Sequence, residues 1–561
     1  MRTALKRFAR LIHFRPNSTN TNPIAYTNTN SNTNVNNSNN INNVNNASNP
    51  NNAASCYKTD SANNGKGLVL GVWSGQDVHN GVKLTDVGKE INSQTRGLLM
   101  DILKTASVPK KGDIRVLHGL HPEFNSIAVV GLGGQCSGYN VVEDIDERKE
   151  AVRIASAVGC CELQTLGMRE IEIEDFSGLA ESAAEGSILG TYVFQEFKNL
   201  DHRLSVPILQ PYDLCSNWEQ WKIGLVKASA QNYARQLMEM PGNLLTPTTF
   251  TQNIVDVLCK SGVSVKVKVQ YWAEKHGMGG FLGVARGSCE PPVFLELSYH
   301  GGKNKGENPV ILVGSGITFN SGGVCLKRNK REMGRMRGDI GGAACVAAVT
   351  RAVAELKLPI NLRTLIPLVE NMPGCNAIKP GERLIAMDGS VVQLRSSDVA
   401  GQLVLADALY YSNHFKPRVV LSVDSLWTRV RGAAIHTGDR AVRLPLWNIH
   451  RERMVNYEGD HVIGRDDSSC STASFLKQFI QSKDWIHFET DNVMVSCQKE
   501  SPYLRDGMSG RPTRTLIELI AQLTENVQFL AWATPPVTCW QICLIKAVWG
   551  RGFKPGTLPA P

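Results

Sequence analysis

Short apolar runs alternate with segments of helical spacing from Gly67 to about Leu523, and no other feature constrains the fold as strongly. "LVLGVW", "SIAVVGLGG" and "REIEIEDF" have the length and content of buried strands, and "INSQTRGLLMDILK" and "KEAVRIASAVGCCELQTL" have helical spacing. "SVKVKVQY", "PVFLELSYH", "PVILVGSG", "INLRTLIPLV" and "RVVLSVDSL" continue the strand series, with helices such as "DIGGAACVAAVTRAVAEL" between several of them. Strands separated by helices predict an α/β architecture with a mostly parallel sheet covered on both faces. A chain of 561 residues is too long for one core, so more than one domain is expected. The segment "SNWEQWKIGLVKASAQNYARQLMEMPGN" reads as a long helix, stopped at Pro241 and Gly242, between an N-terminal α/β domain (65–216) and a second domain (217–523, its linking helix within 217–244). The glycines of "GLGG" read as a tight strand-to-helix turn.

The ends differ from this body. Residues 1–16, "MRTALKRFARLIHFRP", carry Arg2, Lys6, Arg7, Arg10 and Arg15, and the first acid of the chain is Asp60. A basic amphipathic helix without acids predicts a mitochondrial targeting segment. Residues 17–64 are dominated by Asn, Thr and Ser and bury too little apolar surface to fold, so disorder is expected. Residues 524–561 form a Trp-rich tail, broken by Pro535 and Pro536, to which the sequence assigns no role. The net charge of +9 is not gathered into a stripe and no nucleic-acid motif appears, which argues against nucleic acid as a partner. No apolar run is long enough to span a membrane. The 14 cysteines lack the spacing of a zinc module or a disulfide framework and are expected to be mostly reduced and buried.

Ligands of α/β sheets collect at the carboxyl ends of strands. Three polar clusters belong there: Ser315, Asn320 and Lys327 in "VGSGITFNSGGVCLK"; Asp339 in "RMRGDIGGAA"; and Asp398 in "RSSDVAGQLVLADAL". Taken alone, each acid reads as a helix N-cap.

The motifs "GLVLGVW", "SIAVVGLG", "ARQLMEMPGNLLTPTTF", "GMGGFLGVARGSCEPPVFLEL", "VGSGITFNSGGVCLK", "MRGDIGGAACV", "LVLADALYY" and "PYLRDGMSGRPTRTLIELI" carry a wider resemblance. Over about residues 65–523 the chain resembles the leucyl (cytosol) aminopeptidases. The resemblance implies a small N-terminal α/β domain, a catalytic α/β domain with a mostly parallel sheet, and six subunits arranged as a dimer of trimers. It also implies two zinc or manganese ions, held by one Lys and four carboxylates, that polarise the peptide carbonyl and activate a water. A second Lys and an Arg complete the family's site.

Carried over residue by residue, the site departs from that pattern. The ligand Lys of the family's "VGKGITFDSGG" is Ser315 here, and its bridging Asp is Asn320. The Asp of "RADMGG" is kept as Asp339, and the Asp of "TDAEGRL" as Asp398. The Glu of the latter motif is Ala400 and its Arg is Gln402, while the catalytic Lys is kept as Lys327. One extra residue lies between Lys327 and Asp339, and the family's "ATLTG" segment reads "VDSLWTR". Dications need several anionic ligands. With two of the acids left, no two-metal site and no cofactor are expected, and one ion at most would be held weakly by Asp339 and Asp398. Without metal the attacking water keeps a pKa of about 15.7 instead of about 7. Losing the Arg costs about 3 kcal/mol more, by analogy with a lost oxyanion donor. Lys327 is then expected to neutralise its carboxylate neighbours.

The expectation is a catalytically inactive aminopeptidase scaffold with a structural or assembly role in mitochondria. It resembles the sperm-leucylaminopeptidase branch, whose members often have degenerate sites and serve as material of sperm mitochondrial derivatives. The competing readings are an active manganese or zinc aminopeptidase releasing N-terminal residues such as leucine, and a regulatory subunit of active paralogues. Partners are expected to be copies of the chain in a homo-hexamer, or paralogues in a hetero-oligomer.

Overall fold

The computed structural model describes residues 65–524, apart from 75–80, 106–108, 136–137, 214–216, 304–305, 418–422, 456–458, 465–467, 483, 491–492 and 499–500, together with the strand Trp540–Leu544. The targeting segment, the Asn-rich stretch and the remainder of the tail lie outside the described residues.

The first sheet has the order β2-β3-β1-β4-β5, formed by β1 (Lys66–Trp73), β2 (Ile114–His118), β3 (Ser126–Gly133), β4 (Glu170–Ile173) and β5 (Ile208–Pro211). β3, β1, β4 and β5 run parallel, and β2 is an antiparallel edge. Alternate β1 residues serve the two faces. Leu68, Leu70 and Val72 join one cluster with Leu99 and Leu103, and Val69 and Trp73 join another with helix α1 (Glu147–Thr165) and helix α2 (Ala180–Thr191). Burial on both faces explains why the run is continuously apolar instead of alternating. The expected single helix at "INSQTRGLLMDILK" is two, Asp86–Gln94 and Leu98–Thr105, because Arg96 and Gly97 adopt left-handed backbone (φ 55° and 88°) between them.

Helix α3 (Trp218–Glu239) follows, ended by extended Met240 before Pro241 as the sequence predicts. The second sheet contains β6 (Ser264–Val269), β7 (Val293–His300), β8 (Val310–Val313), β9 (Gly316–Asn320) and β10 (Asn361–Asn371), in the order β8-β10-β7-β6 with β9 also on β10. β8 and β9 are parallel to β10, but β7 and β6 are antiparallel to their neighbours. The expectation of a mostly parallel second sheet is therefore corrected to a mixed one. An antiparallel edge tolerates water on its outer face, and β6 leaves Val267 and Val269 exposed. "QY" of the expected strand at 264–271 opens a short helix, Gln270–Lys275. In "RVVLSVDSL", residues 418–422 lie outside the described set and Val423 begins helix α6 (Val423–Thr437), not a strand.

Helices α4 (Gly341–Glu355) and α5 (Ala400–Ser412) pack on the second sheet, and α7 (Thr513–Thr524) closes the body. In the tail, the strand Trp540–Leu544 lies between Ala441–Pro445 and Ile486–Glu489. Of the nine cysteines described, only Cys160 and Cys345 are buried, which corrects the expectation that most would be. No helix among the described residues is long and apolar enough to cross a membrane.

The two sheet layers are joined through a buried ion triad. Glu185 of α2 accepts from Arg153 Nε of α1 at 2.6 Å and from Arg514 Nη1 of α7 at 2.7 Å, and all three are fully buried. Glu185→Ala takes the bonded anion from Arg514 in the interior and leaves Arg153 with Glu150 alone. We expect a loss of about 3–5 kcal/mol in urea unfolding, whereas a cost below 1 kcal/mol would mean the triad is dispensable.

Glu174, also fully buried, accepts from Thr85 Oγ1 at 2.7 Å and from the Gly71 amide. Burial pushes its carboxyl up to about 8 from 4.5, against the pull of those two hydrogen bonds. Between these values the native state keeps a proton that the unfolded chain has released. Stability therefore falls as pH rises through this window, by up to about 1.4 kcal/mol per unit. Glu174→Gln should flatten that decline between pH 5 and 8 in denaturant midpoints, and a slope as steep as in the wild type would count against this account.

Candidate active site

The turn between β8 and β9 is shaped by close backbone approach. A Cβ at Gly314 would lie 2.5 Å from the Gly342 carbonyl oxygen, so only Gly lets α4 pack directly on the chain here. The Ser315 carbonyl accepts from Ala343 N–H at 2.9 Å and satisfies one of the orphan donors at the start of α4. The first turn of α5 also abuts Ser315: a Cβ on Gly401 would sit 3.4 Å from Ser315 Oγ. Two helix N-termini thus converge on this residue, and their fields favour negative charge nearby. After β9, Gly322 and Gly323 take left-handed conformations (φ 90° and 63°), and a Cβ on Gly322 would lie 2.5 Å from the Cys325 carbonyl oxygen.

Asn320 is buried, and its amide is committed to holding this loop. Oδ1 accepts from Gly322 N–H at 3.0 Å and from Asn371 Nδ2 at 2.8 Å, while Nδ2 donates to the Asp398 carbonyl at 3.3 Å. Asn371 Nδ2 also donates to the Ser397 carbonyl at 3.0 Å. Ser397 Oγ donates to the Gly322 carbonyl at 2.7 Å and accepts from Cys325 N–H at 2.9 Å. Asn371 and Ser397 are missed by reading the sequence alone. Ser397 stands next to Asp398 and was within reach of the motif, but the β9–β10 register that brings Asn371 to Asn320 is tertiary information.

Neither acid is an N-cap. The cap positions of α4 and α5 are Ile340 and Val399, without side-chain capping bonds, and Asp339 lies in a 3-10 turn, Met336–Ile340. Asp398 turns to Lys327, whose Nζ is 2.6 Å from Oδ2 and 3.5 Å from Glu332 Oε1. Burial is the largest single influence on Lys327 and opposes its charge. It is outweighed by the Asp398 hydrogen bond and by the charges of Asp398, Glu332 and Asp339, so the ammonium titrates above its ordinary 10.5. Lys327, Asp398 and Asp339 are therefore brought together electrostatically, with Glu332 as a fourth member that the motif did not reveal. Gln402 donates from Nε2 to Thr472 Oγ1 at 2.8 Å. Ala400 is fully buried in the core around Leu403 and Val404.

Three buried oxygens here have no hydrogen-bond partner among the described residues: Ser315 Oγ, Asp398 Oδ1 and Gln402 Oε1. Such groups call for water or another ligand. Two dications do not fit the donor set. Asn320 Oδ1 is already doubly engaged, Ala400 offers no donor, and one Asp398 oxygen is taken by an ammonium. What is left, a hydroxyl, an amide oxygen and one carboxylate oxygen, suits water or a single weakly held cation.

A second cluster, Glu181, His436 and Glu518, has ligand-type atoms within 4.8 Å of one another, but its centre already holds a cation. Lys227 Nζ pairs with Glu181 at 2.6 Å and with Glu518, while His436 lies 3.1 Å from Glu181 through Nε2 and 2.8 Å from Lys149 Nζ through Nδ1. It reads as a salt-bridged joint of α2, α3, α6 and α7.

Lys327→Met should cost about 1–3 kcal/mol, because it leaves Asp398 charged and half-buried without its hydrogen bond. Since the folded pKa of Lys327 is raised, this contribution is complete below pH 10.5 and fades as pH rises through the folded value. Asp398→Asn in the same background should recover part of the loss. Additive losses in the double-mutant cycle would refute the coupling.

Comparison with known proteins places these observations in a lineage. The N-terminal domain model of the cytosol aminopeptidase family matches residues 69–200, and the catalytic-domain model matches 232–426 and 420–517. The cytosol aminopeptidase of Xenopus tropicalis is 39% identical over 495 residues, covering 82% of this chain and 94% of the relative. The human cytosol aminopeptidase is 38% identical over 496 residues (83% and 94%), and that of Dictyostelium discoideum 36% over 499 (82% and 93%). Among solved structures, the bottromycin maturation enzyme BotP in complex with Mn matches with a TM-score of 0.64 and 24% identity over 83% of this chain and 100% of that one, a likeness of fold. With both domain models matched in order and these relatives aligned along most of its length, the chain belongs to the cytosol aminopeptidase family.

Proposed function

We propose that this protein is a catalytically inactive member of the family, with a structural or assembly role in mitochondria, and that sperm mitochondrial derivatives are one setting for it. The observation that supports this reading best is the Lys327–Asp398 pair beside an Asn320 whose oxygen is tied into the loop. Amide hydrogen bonds of Asn320 stand where the family's pattern has a bridging carboxylate, and the retained Asp398 has one oxygen paired with the ammonium of the retained Lys327. The acid-free basic N-terminus supports the mitochondrial setting. The intact two-layer body supports a role in assembly, as a homo-hexamer or together with paralogues. The names of the relatives favour the competing reading, a manganese or zinc aminopeptidase releasing N-terminal residues such as leucine.

Metal analysis of the purified protein separates the two. We expect well under one tightly held zinc or manganese ion per chain and no hydrolysis of leucine amide above background. Two ions per chain with chelator-sensitive hydrolysis would overturn the proposal. Combined reversion by Ser315→Lys, Asn320→Asp, Ala400→Glu and Gln402→Arg should raise metal content. Ala400→Glu alone should destabilise the fold, since it sets a carboxylate in a fully buried position. Native mass analysis distinguishes a pure array from a regulatory subunit, which would appear in mixed oligomers with active paralogues.

A further inference from the structure

A cleft of about 770 Å³ lies apart from the site just described, between the ends of α2 and α3, the outer face of α1 and the segment around Arg505. That volume falls within the range of small-molecule sites. Its floor is cationic in an unusual way. Arg235 is 3% exposed, yet its hydrogen bonds go only to neutral acceptors: the Met508 carbonyl at 3.0 Å, the Leu189 carbonyl at 3.3 Å and Asn232 Oδ1 at 2.9 Å. Its Nη2 makes no hydrogen bond among the described residues, and its guanidinium lies 4.4 Å from the centre of the Tyr192 ring. Burial without a bonded anion lowers Arg235 to about 10. Arg505, half-buried beside it, also bonds to neutral acceptors, donating to the Gly190 carbonyl at 2.9 Å and to Gln164 Oε1 at 2.7 Å, with the Cys161 thiol next to it.

Of the acids that line the cleft, Glu239 acts on Arg235 through its charge, but none is hydrogen-bonded to it among the described residues. Glu239 is taken by Arg337 Nη2 at 2.8 Å and by Met508 N–H at 2.6 Å, while Glu162 and Asp506 sit exposed at the rim. Lys198, also exposed at the rim, makes no ion pair among the described residues. The Tyr192 hydroxyl is buried and has no hydrogen-bond partner among the described residues. A buried guanidinium ordinarily has an anion as its partner, and a buried hydroxyl ordinarily has a hydrogen bond. Here both demands fall on one cleft with apolar walls at Val158, Val193 and Phe194.

We propose that this cleft binds a small molecule through an oxyanion, a carboxylate or phosphate group seated against Arg235 and Arg505. The proposal stands independently of whether the family's peptidase chemistry survives. Isothermal titration of the full chain at low ionic strength, with inorganic phosphate and separately with butyrate, tests it. One saturable site per chain is expected for at least one probe, weakened about tenfold or more by Lys198→Glu, a surface change that removes no bond of the fold, and by Arg505→Gln, with thermal melting as the check on folding. Preference for phosphate assigns phosphorylated ligands, and preference for butyrate assigns carboxylates. Absence of saturable binding by either probe, or equal affinity in the wild type and in folded Lys198→Glu, overturns the proposal.

Discussion

Glu185 is the constraint on which the body hangs. A single carboxylate, sealed from water, answers Arg153 from one layer and Arg514 from the other. Arg514 Nε is held in turn by Gln231 Oε1 of α3 at 2.6 Å, and Gln231 Nε2 reaches the Ser509 carbonyl at 2.7 Å. The segment so fixed meets α4, where Cys345 Sγ contacts the carbonyls of Gly510 and Arg511 at 3.6 and 3.4 Å. The start of α4 is what Ser315 caps and what Asp339 precedes. The geometry of the site is therefore inherited from an ion triad in a distant layer, and a charge network that costs desolvation to bury gives the domains one arrangement.

Within the site, the same electrostatic demand is met by different chemistry from the one the resemblance implies. Two helix N-termini and two family acids make a place where charge must be balanced. In this chain a lysine ammonium at 2.6 Å from Asp398 does part of that work. Asn320 can donate to the Asp398 carbonyl, which an aspartate could not, so the substitution adds a bond to the loop while removing a negative charge. Ser315 Oγ, Asp398 Oδ1 and Gln402 Oε1 are left over, unpaired among the described residues, around the position where larger or charged side chains stand in the family pattern.

Much of the fold was legible from period and punctuation. The continuous apolar runs of β1 and β3 announced strands buried on both faces, and Pro241 marked the end of α3 within two residues. What failed was strand direction and helix continuity. The antiparallel course of β6 and β7 leaves no mark in their composition, and the break at Arg96 and Gly97 rests on two left-handed residues inside an otherwise helical pattern. The tail was unassigned because a strand such as Trp540–Leu544 is specified by the two edges it joins.

By itself the sequence determined which residues occupy the family's site positions: Ser315, Asn320, Lys327, Asp339, Asp398, Ala400 and Gln402 are facts of the chain. Only the tertiary structure decided what each of them does. The N-cap reading of Asp339 and Asp398 was reasonable on local grounds, and it fell because Ile340 and Val399 hold the cap positions. Asn371 and Asp398, which bond Asn320 and Lys327, lie 51 and 71 residues away in the chain, and Asn371 completes the commitment of Asn320 Oδ1 that makes it a poor metal ligand. Short-range pattern fixes residue type and local conformation. Charge pairing, burial and hydrogen-bond satisfaction are set by which distant segments meet, and those quantities decide the chemistry.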